Sequence, residues 1–379
     1  MHCEDAINIS ELREIARRNL PRFVFDYIDG GAEDELTLRR NREVFQRACW
    51  RGRTLVDVSQ RSLSTRLLGA PAALPVVVGP TALNGLFWRD GDLEAARAAS
   101  AAGVPFTMST VSMNLLEDIA REAPGRLWLQ AYVFRERAIT DLLLQRAEAA
   151  GFECLVLTSD FPVPGKRERD WKSGLLPKQQ FTAATWLDIF MHPRWMMTIG
   201  RRRPRFVNVG RELPAGQDVN AFVGHNMFDP SFNWDDIGRF RDRWPRKLVL
   251  KGVLRVDDAE RAVATGLDGI VLSNHGGRQL DSSVTGFEVL PEIARAVGGR
   301  TSILIDGGVR RGGDIAKALA LGAEGVHLGR ACAYGVAAGG RAGVAKALEI
   351  LADEFDRTLA LTGCRKVSDL TPDLIAGVS

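Results

Sequence analysis

The run SNHGGRQLD (273–281) sets His275 and Arg278 three residues apart around two glycines, directly after a short apolar stretch. An imidazole titrates near neutral pH and works as a general base, whereas a guanidinium fork matches a carboxylate through two parallel hydrogen bonds. Together they suit proton abstraction from a substrate held by its carboxyl group. Arg167, in GKRERD (165–170), offers a second fork; the plainer reading is a surface charge in a charged run. Further on, DGGVRRG (306–312) and GR (329–330) set Asp306, Gly308 and Gly329 beside Arg310 and Arg330. Glycines there let backbone N–H groups approach a phosphate, and the arginines add charge. His2, His192, His225 and His327 have no comparable setting, and no metal-ligand spacing unites them.

Something must hold these residues together. Eight short apolar runs recur along the chain: PVVVGP (75–80), VPFTMS (104–109), LWLQAY (127–132), CLVLTS (154–159), KLVLKG (247–252), GIVLSN (269–274), SILIDGG (302–308) and EGVHLG (324–329). Each reads as a strand buried on both faces of a parallel sheet. Amphipathic stretches such as 92–103 and 314–323 alternate with them and end at glycines that suit helix C-caps. This order predicts an α/β fold, a (β/α)₈ TIM barrel, with the active site at the carboxyl ends of the strands. An open doubly wound sheet is the rival, but no G-x-G-x-x-G follows an early strand. Residues 341–361 carry Val344, Leu348, Leu351, Phe355 and Leu359 as a core-facing helical stripe.

The barrel reading gives the polar strand ends a purpose. Ser109, Gln130 with Tyr132, Thr158 with Asp160, and Lys251 make a poor core and a good lining for a polar ring system. Lys251 inside a barrel needs an anionic partner, and a reduced flavin, negative near N1 and O2, is one. Residues 1–74 form an N-terminal extension with a helix in ELREIARRNL ended by Pro21, and 161–246 form an insertion or lid within a single domain spanning 1–379. Within the insertion, 185–206 mixes Trp, Phe and Met with Arg194, Arg201, Arg202, Arg203 and Arg205. Two readings stay open for it: a lid or oligomer contact with a solvated basic edge, or peripheral attachment to an anionic membrane surface.

Composition bounds the rest. The 379 residues are 45% hydrophobic and 26% charged, which excludes disorder and collagen-like repeats. Fifty Lys and Arg against 47 Asp and Glu leave +3, too little to imply a nucleic-acid partner. Cys3, Cys49, Cys154, Cys332 and Cys364 are odd in number and scattered, so they read as reduced thiols of a cytoplasmic protein. The polar start MHCEDAINIS predicts no signal peptide, no run is apolar enough to span a membrane, and no haem domain is expected before the barrel.

SNHGGRQLD, DGGVRRG, GAEDE (31–35), PTA (80–82) and ERD (168–170) resemble the FMN-dependent 2-hydroxy-acid oxidase and dehydrogenase family, which includes glycolate oxidase, lactate oxidase and mandelate dehydrogenase. The resemblance runs from about residue 8 to 375, and HPRW (192–195), FNW (232–234) and YGVAA (334–338) resemble the mandelate-oxidising branch. It implies FMN as cofactor and a small-molecule (S)-2-hydroxy acid as substrate, oxidised to the 2-oxo acid. It makes His275 the base and Asp160 the carboxylate that orients it, with Arg167 and Arg278 on the substrate carboxylate and Tyr27 and Tyr132 hydrogen-bonding the substrate. Pro80, Thr81, Ala82, Ser109, Gln130, Thr158, Lys251 and Ser273 would hold the flavin ring, and Asp306, Gly308, Arg310, Gly329 and Arg330 the ribityl phosphate. Whether His275 takes the α-proton or the hydroxyl proton stays open.

Val111 stands where the family's glycolate oxidases carry Trp, leaving room for a phenyl ring that Phe161 would help enclose. An aromatic, mandelate-like acid is therefore the expected substrate. Ala82 replaces a Gly of the family's mandelate dehydrogenase. The family's oxidases carry Ala there, and so does its haem-fused flavocytochrome. Electrons are expected to pass to O2, giving H2O2; the alternative is a membrane-associated, quinone-linked dehydrogenase on the inner face of the cell membrane. The family also implies a homo-oligomer, a tetramer. Less favoured are another FMN barrel, such as a type 2 isopentenyl diphosphate isomerase or a glutamate-synthase-like domain, and a non-catalytic flavin-binding barrel. Neither needs the carboxylate clamp.

Overall fold

Each of the eight apolar runs becomes a strand: β1 (Val76–Val78), β2 (Phe106–Ser109), β3 (Leu127–Ala131), β4 (Cys154–Thr158), β5 (Lys247–Val253), β6 (Gly269–Leu272), β7 (Ser302–Ile305) and β8 (Gly325–Leu328). All pair in parallel, and β8 pairs with β1 to close the barrel. The computed structural model describes residues 2–175, 181–199, 206–211, 213 and 218–377. Arg201, Arg202, Arg203 and Arg205 therefore lie outside the described residues.

Alternate residues of each strand face the barrel axis. Toward the amino ends the inward set includes Val77, Trp128, Val156, Val249, Val271 and Leu304, all fully buried. A hairpin of Thr65–Leu67 and Ala70–Ala72 lays Leu67, Leu68 and Ala72 against that set and stoppers this end. Two residues further along the same strands, the inward positions are Gln130, Thr158, Lys251, Ser273 and Asp306. The barrel thus changes from apolar to polar within one step of the strand period, and its chemistry sits at the carboxyl end.

The N-terminal extension is helical at Ile9–Asn19, Arg22–Asp29 and Leu36–Arg47. Asn8 caps the first of these by accepting from the Glu11 N–H at 2.9 Å. The stripe expected over 341–361 is buried as read, but its helix is the second limb of Arg330–Thr362, which breaks at Gly339–Gly340. The first limb starts directly after β8 and turns its N-terminus to the barrel mouth.

The expected insertion of 161–246 is too long at its far end. Trp234–Arg243 is the barrel's own crossover helix, with Ile237 and Phe240 buried, so FNW marks its start. Asn233 accepts from the Asp235 N–H at 2.8 Å, and Asp236 accepts from the Asn233 N–H at 3.1 Å. The remaining segment contributes Glu168–Ser173, Ala183–Phe190, Pro193–Thr198, Val207–Gly210 and Val219–Asn226. Trp195 is not at a surface edge: it is buried, stacks edge-on against Phe23 and donates its Nε1–H to the Leu86 carbonyl at 2.8 Å.

Candidate active site

His275, Gly276 and Gly277 follow β6 with successive φ values of +58°, +66° and +74°. A left-handed histidine is uncommon and is held here by its surroundings. The Gly277 carbonyl accepts from the Ala32 N–H at 2.9 Å, while a Cβ on Gly277 would stand 2.6 Å from the Leu38 nitrogen. The GAEDE segment is thus a brace for this loop. It also ties down the loop after β4, since the Glu33 N–H donates to the Lys166 carbonyl at 2.8 Å.

So braced, the His275 ring meets defined partners. Its Nδ1–H donates to Asp160 Oδ1 at 2.9 Å, which leaves the Nε2 lone pair facing the Tyr132 hydroxyl at 3.4 Å. Phe161 stacks on the imidazole, with centroids 5.2 Å apart. Burial, with Lys251 and Arg167 nearby, lowers the His275 pKa despite the pull of Asp160. The ring is therefore neutral at neutral pH, as a base must be. Burial alone would raise the Asp160 pKa, but Lys251 and then His275 outweigh it and hold the carboxyl ionised.

Lys251 donates from Nζ to Ser273 Oγ at 2.7 Å and pairs with Asp306 at 3.2 Å and Asp160 at 3.8 Å. Those two carboxylates keep it protonated although it is buried. Gln130 donates to Thr158 Oγ1 at 2.8 Å and accepts from Ser109 Oγ at 3.2 Å, so three strand ends form one polar chain. Arg278 sits 4.8 Å over the Tyr27 ring and donates from one terminal nitrogen to the Tyr27 and Gly30 carbonyls at 2.6 and 3.0 Å. Its other terminal nitrogen has no hydrogen-bond partner in the protein and stands 4.0 Å from Asp170. Arg167 lies beside it, its pKa pushed down to about 10 by burial and by Arg278, so Arg167 stays charged at neutral pH.

One cavity of about 510 Å³ is lined by these residues and by Pro80, Thr81, Ala82, Val111 and the loops after β7 and β8. Asp160 and Ser273 stand behind it, acting through His275 and Lys251. Its cations, Arg167, Lys251, Arg278, Arg310 and Arg330, face the carboxylates of Asp170 and Asp306, a balance that favours an anionic occupant. Arg330 is less free than expected: it donates to the carbonyls of Ile28, Gly276 and Gly30 at 2.7–3.0 Å, pinning the His275 loop to the extension. Several lining residues were not expected at the site from the sequence, and four of them bear on its chemistry. They are Asp170 as a partner of Arg278, His327 on β8, and Val223 and Phe228 from the insertion.

A sequence model described as "FMN-dependent dehydrogenase" matches residues 16–377. The chain belongs to this family. It is 43% identical to the (S)-mandelate dehydrogenase of Pseudomonas putida over 98% of this chain and 94% of that one. It is 44% identical to an L-lactate dehydrogenase of Caulobacter vibrioides over 97% of each. The crystal structure of monotopic membrane protein (S)-mandelate dehydrogenase superposes with a TM-score of 0.93, covering 98% of this chain and all of that one. A mandelate oxidase variant with (S)-mandelic acid superposes with a TM-score of 0.82 at 37% identity, over 98% of each chain. The protein is thus an FMN-dependent enzyme of 2-hydroxy-acid oxidation.

The cavity fits that cofactor. A side chain on Gly329 would point into open space at the N-terminus of Arg330–Thr362, a cradle where backbone N–H groups can meet a phosphate. Deeper in, Asp306 Oδ1 is buried with no hydrogen-bond partner in the protein, a polar atom awaiting a bound group.

Proposed function

We propose that this enzyme oxidises an aromatic (S)-2-hydroxy acid of the mandelate type to its 2-oxo acid. The observation that carries the reading is an apolar wall built against the base. Phe161 stacks on both His275 and Phe228, the latter at 4.8 Å, and Val111 and Val223 are buried in the same cluster. Burying a phenyl ring there is worth about 1.5–3 kcal/mol against about 0.8 for the methyl of lactate, and stacking adds about 0.5–1.5. Aromatic acids should therefore lead lactate and glycolate by about one to three decades in kcat/KM.

In this reading Arg167 and Arg278 bind the substrate carboxylate, and Tyr27 and Tyr132 orient the hydroxyl end. Asp160 fixes the imidazole tautomer and stabilises the imidazolium, so that Nε2 of His275 takes the substrate proton. Phe161 and Phe228 exclude water from that nitrogen. FMN, when bound, supplies the acceptor for the two electrons that leave the α-carbon. Pro80, Thr81, Ala82, Ser109, Gln130, Thr158 and Lys251, with Ser273 behind it, would line the ring, and Asp306, Gly308, Arg310, Gly329 and Arg330 would lie along the ribityl phosphate.

For the final acceptor we propose O2, with the Ala82 methyl on the cavity wall as the supporting feature. A quinone in the membrane is the second reading, and a surface patch favours it. Trp186, Leu187, Phe190, Met191 and Met197 of the insertion helices are each at least half exposed, as suits peripheral attachment to a bilayer. No described helix is long and apolar enough to cross a membrane. Steady-state kcat/KM for mandelate, lactate and glycolate tests the substrate, and a clear preference for glycolate would refute it. Reoxidation of the substrate-reduced enzyme in air against a quinone analogue tests the acceptor; minutes in air and seconds with quinone would reverse the first choice.

A further inference from the structure

Among the histidines to which neither the sequence motifs nor the proposed chemistry gives a task, His327 is the buried one. It occupies the inner face of β8, in register with the buried Val77 of β1 and two residues before Gly329. It is 2% exposed, and its ring lies 5.7 Å from that of Trp128. Neither Nδ1 nor Nε2 has a hydrogen-bond partner in the protein. Leaving buried polar atoms unpaired costs about 1–3 kcal/mol each, and an apolar side chain would avoid that cost. A site that keeps an imidazole here has a partner that the polypeptide does not supply.

The position says what that partner is. His327 lines the same cavity as Lys251 and Asp306. Two more buried atoms lack partners nearby: Asp306 Oδ1, and Oγ1 of Thr107, which is paired in register with Trp128. We propose that His327 is a further cofactor-binding residue, whose ring N–H donates toward bound FMN, directly or through one buried water shared with Thr107, and so raises the flavin's reduction potential. A water in this position would have the several polar partners it needs. Electron density rises on the ring when flavin is reduced, so a fixed donor stabilises the reduced form more than the oxidised form. Burial is the main cause that holds the His327 pKa at about 4, with Asp306 raising it and Lys251 lowering it, so the ring acts as a neutral donor and not as a cation.

The proposal rests on FMN occupying this cavity, and the test separates the two. Spectroelectrochemical titration compares the FMN-loaded parent with His327→Leu and His327→Gln. Leu should lower the midpoint potential, cutting the ratio of reduced to oxidised flavin about tenfold at a fixed potential, which is about 30 mV for a two-electron couple. Gln keeps a donor and should recover most of the shift. A Leu variant that titrates with the parent overturns the assignment. Should Leu fail to fold, the parent decides by itself: in ¹⁵N-histidine-labelled enzyme the resonance absent from His327→Gln must move on photoreduction of the flavin, and an unmoved resonance overturns the assignment equally. FMN retained at parental affinity by Gly329→Phe, which fills the phosphate cradle, would instead overturn the cavity reading, and the assignment with it.

Discussion

Asp160→Asn isolates what the carboxylate does for the base while keeping its volume. At the observed 2.9 Å, an imidazolium and a carboxylate attract by roughly 6 kcal/mol at an effective dielectric of about 20. The imidazolium is only partly formed in the transition state, so about half of that, roughly 3 kcal/mol, is at stake, or about 10²-fold in rate. An amide can also donate to Nδ1 and turn the lone pair away from the substrate, which deepens the loss toward about 10⁴-fold. The variant should keep FMN, because Asp160 stands behind the cavity, while Lys251 retains its partner Asp306 at 3.2 Å. Two readouts follow: flavin reduction by mandelate in anaerobic stopped flow, and the pH profile of kcat/KM. In the parent the acid limb should lie below pH 6.5, because burial lowers the His275 pKa. Asp160 raises that pKa, so its loss should move the limb lower still. Reduction within about threefold of the parent, or a limb that moves upward, would refute the assignment.

Arg278→Lys should raise KM for the hydroxy acid roughly 10- to 100-fold with a smaller effect on kcat, since a point charge cannot reproduce the fork; an unchanged KM in steady-state kinetics contradicts the clamp. Burial alone would raise the Asp29 pKa, but hydrogen bonds from Arg13 and Tyr334 hold it at about 2 against an ordinary 3.8. That stability is present above pH 3.8 and lost as pH falls toward 2, about 2 kcal/mol in all. Asp29→Asn should therefore flatten denaturant-measured stability across that window, and a slope equal to the parent's contradicts the pairing. The second reading, attachment to a membrane, requires that anionic vesicles at low salt carry the enzyme down through the Trp186–Met197 patch; full recovery in the supernatant ends that reading.

The fold was legible because buried parallel strands are short, apolar and bounded by glycines, and all eight runs in this chain are of that kind. His275 and Arg278 were legible for a related reason: a polar pair right after such a run lands at the mouth of the barrel. His327 is harder to read from EGVHLG, because only the inward alternation running back from Gly329 to 327, and not the strand end, places it in the cavity. The link from Asp170 to Arg278 joins the helix Glu168–Ser173 to the loop after β6, more than a hundred residues on, and no local pattern encodes it. Nor does any period place Val223 and Phe228 opposite Val111; tertiary packing of the insertion does that. The misplaced end of the insertion was avoidable, since Asn233 with Asp236 is a capping pair visible in the sequence. The burial of Trp195 was not legible either, because the helix Pro193–Thr198 is too short for an apolar face to declare its direction.

In the proposed reaction this cavity couples oxidation of an aromatic 2-hydroxy acid to reduction of FMN, with His275 as the base. Anaerobic mixing of the yellow enzyme with (S)-mandelate, in the parent and in His275→Ala, tests it most directly. The parent should bleach within the dead time or shortly after, forming one 2-oxo acid per flavin reduced. His275→Ala should bind the same FMN and bleach about 10²- to 10⁴-fold more slowly. A parent that stays yellow with mandelate, or a His275→Ala variant that bleaches at the parental rate, would contradict the account.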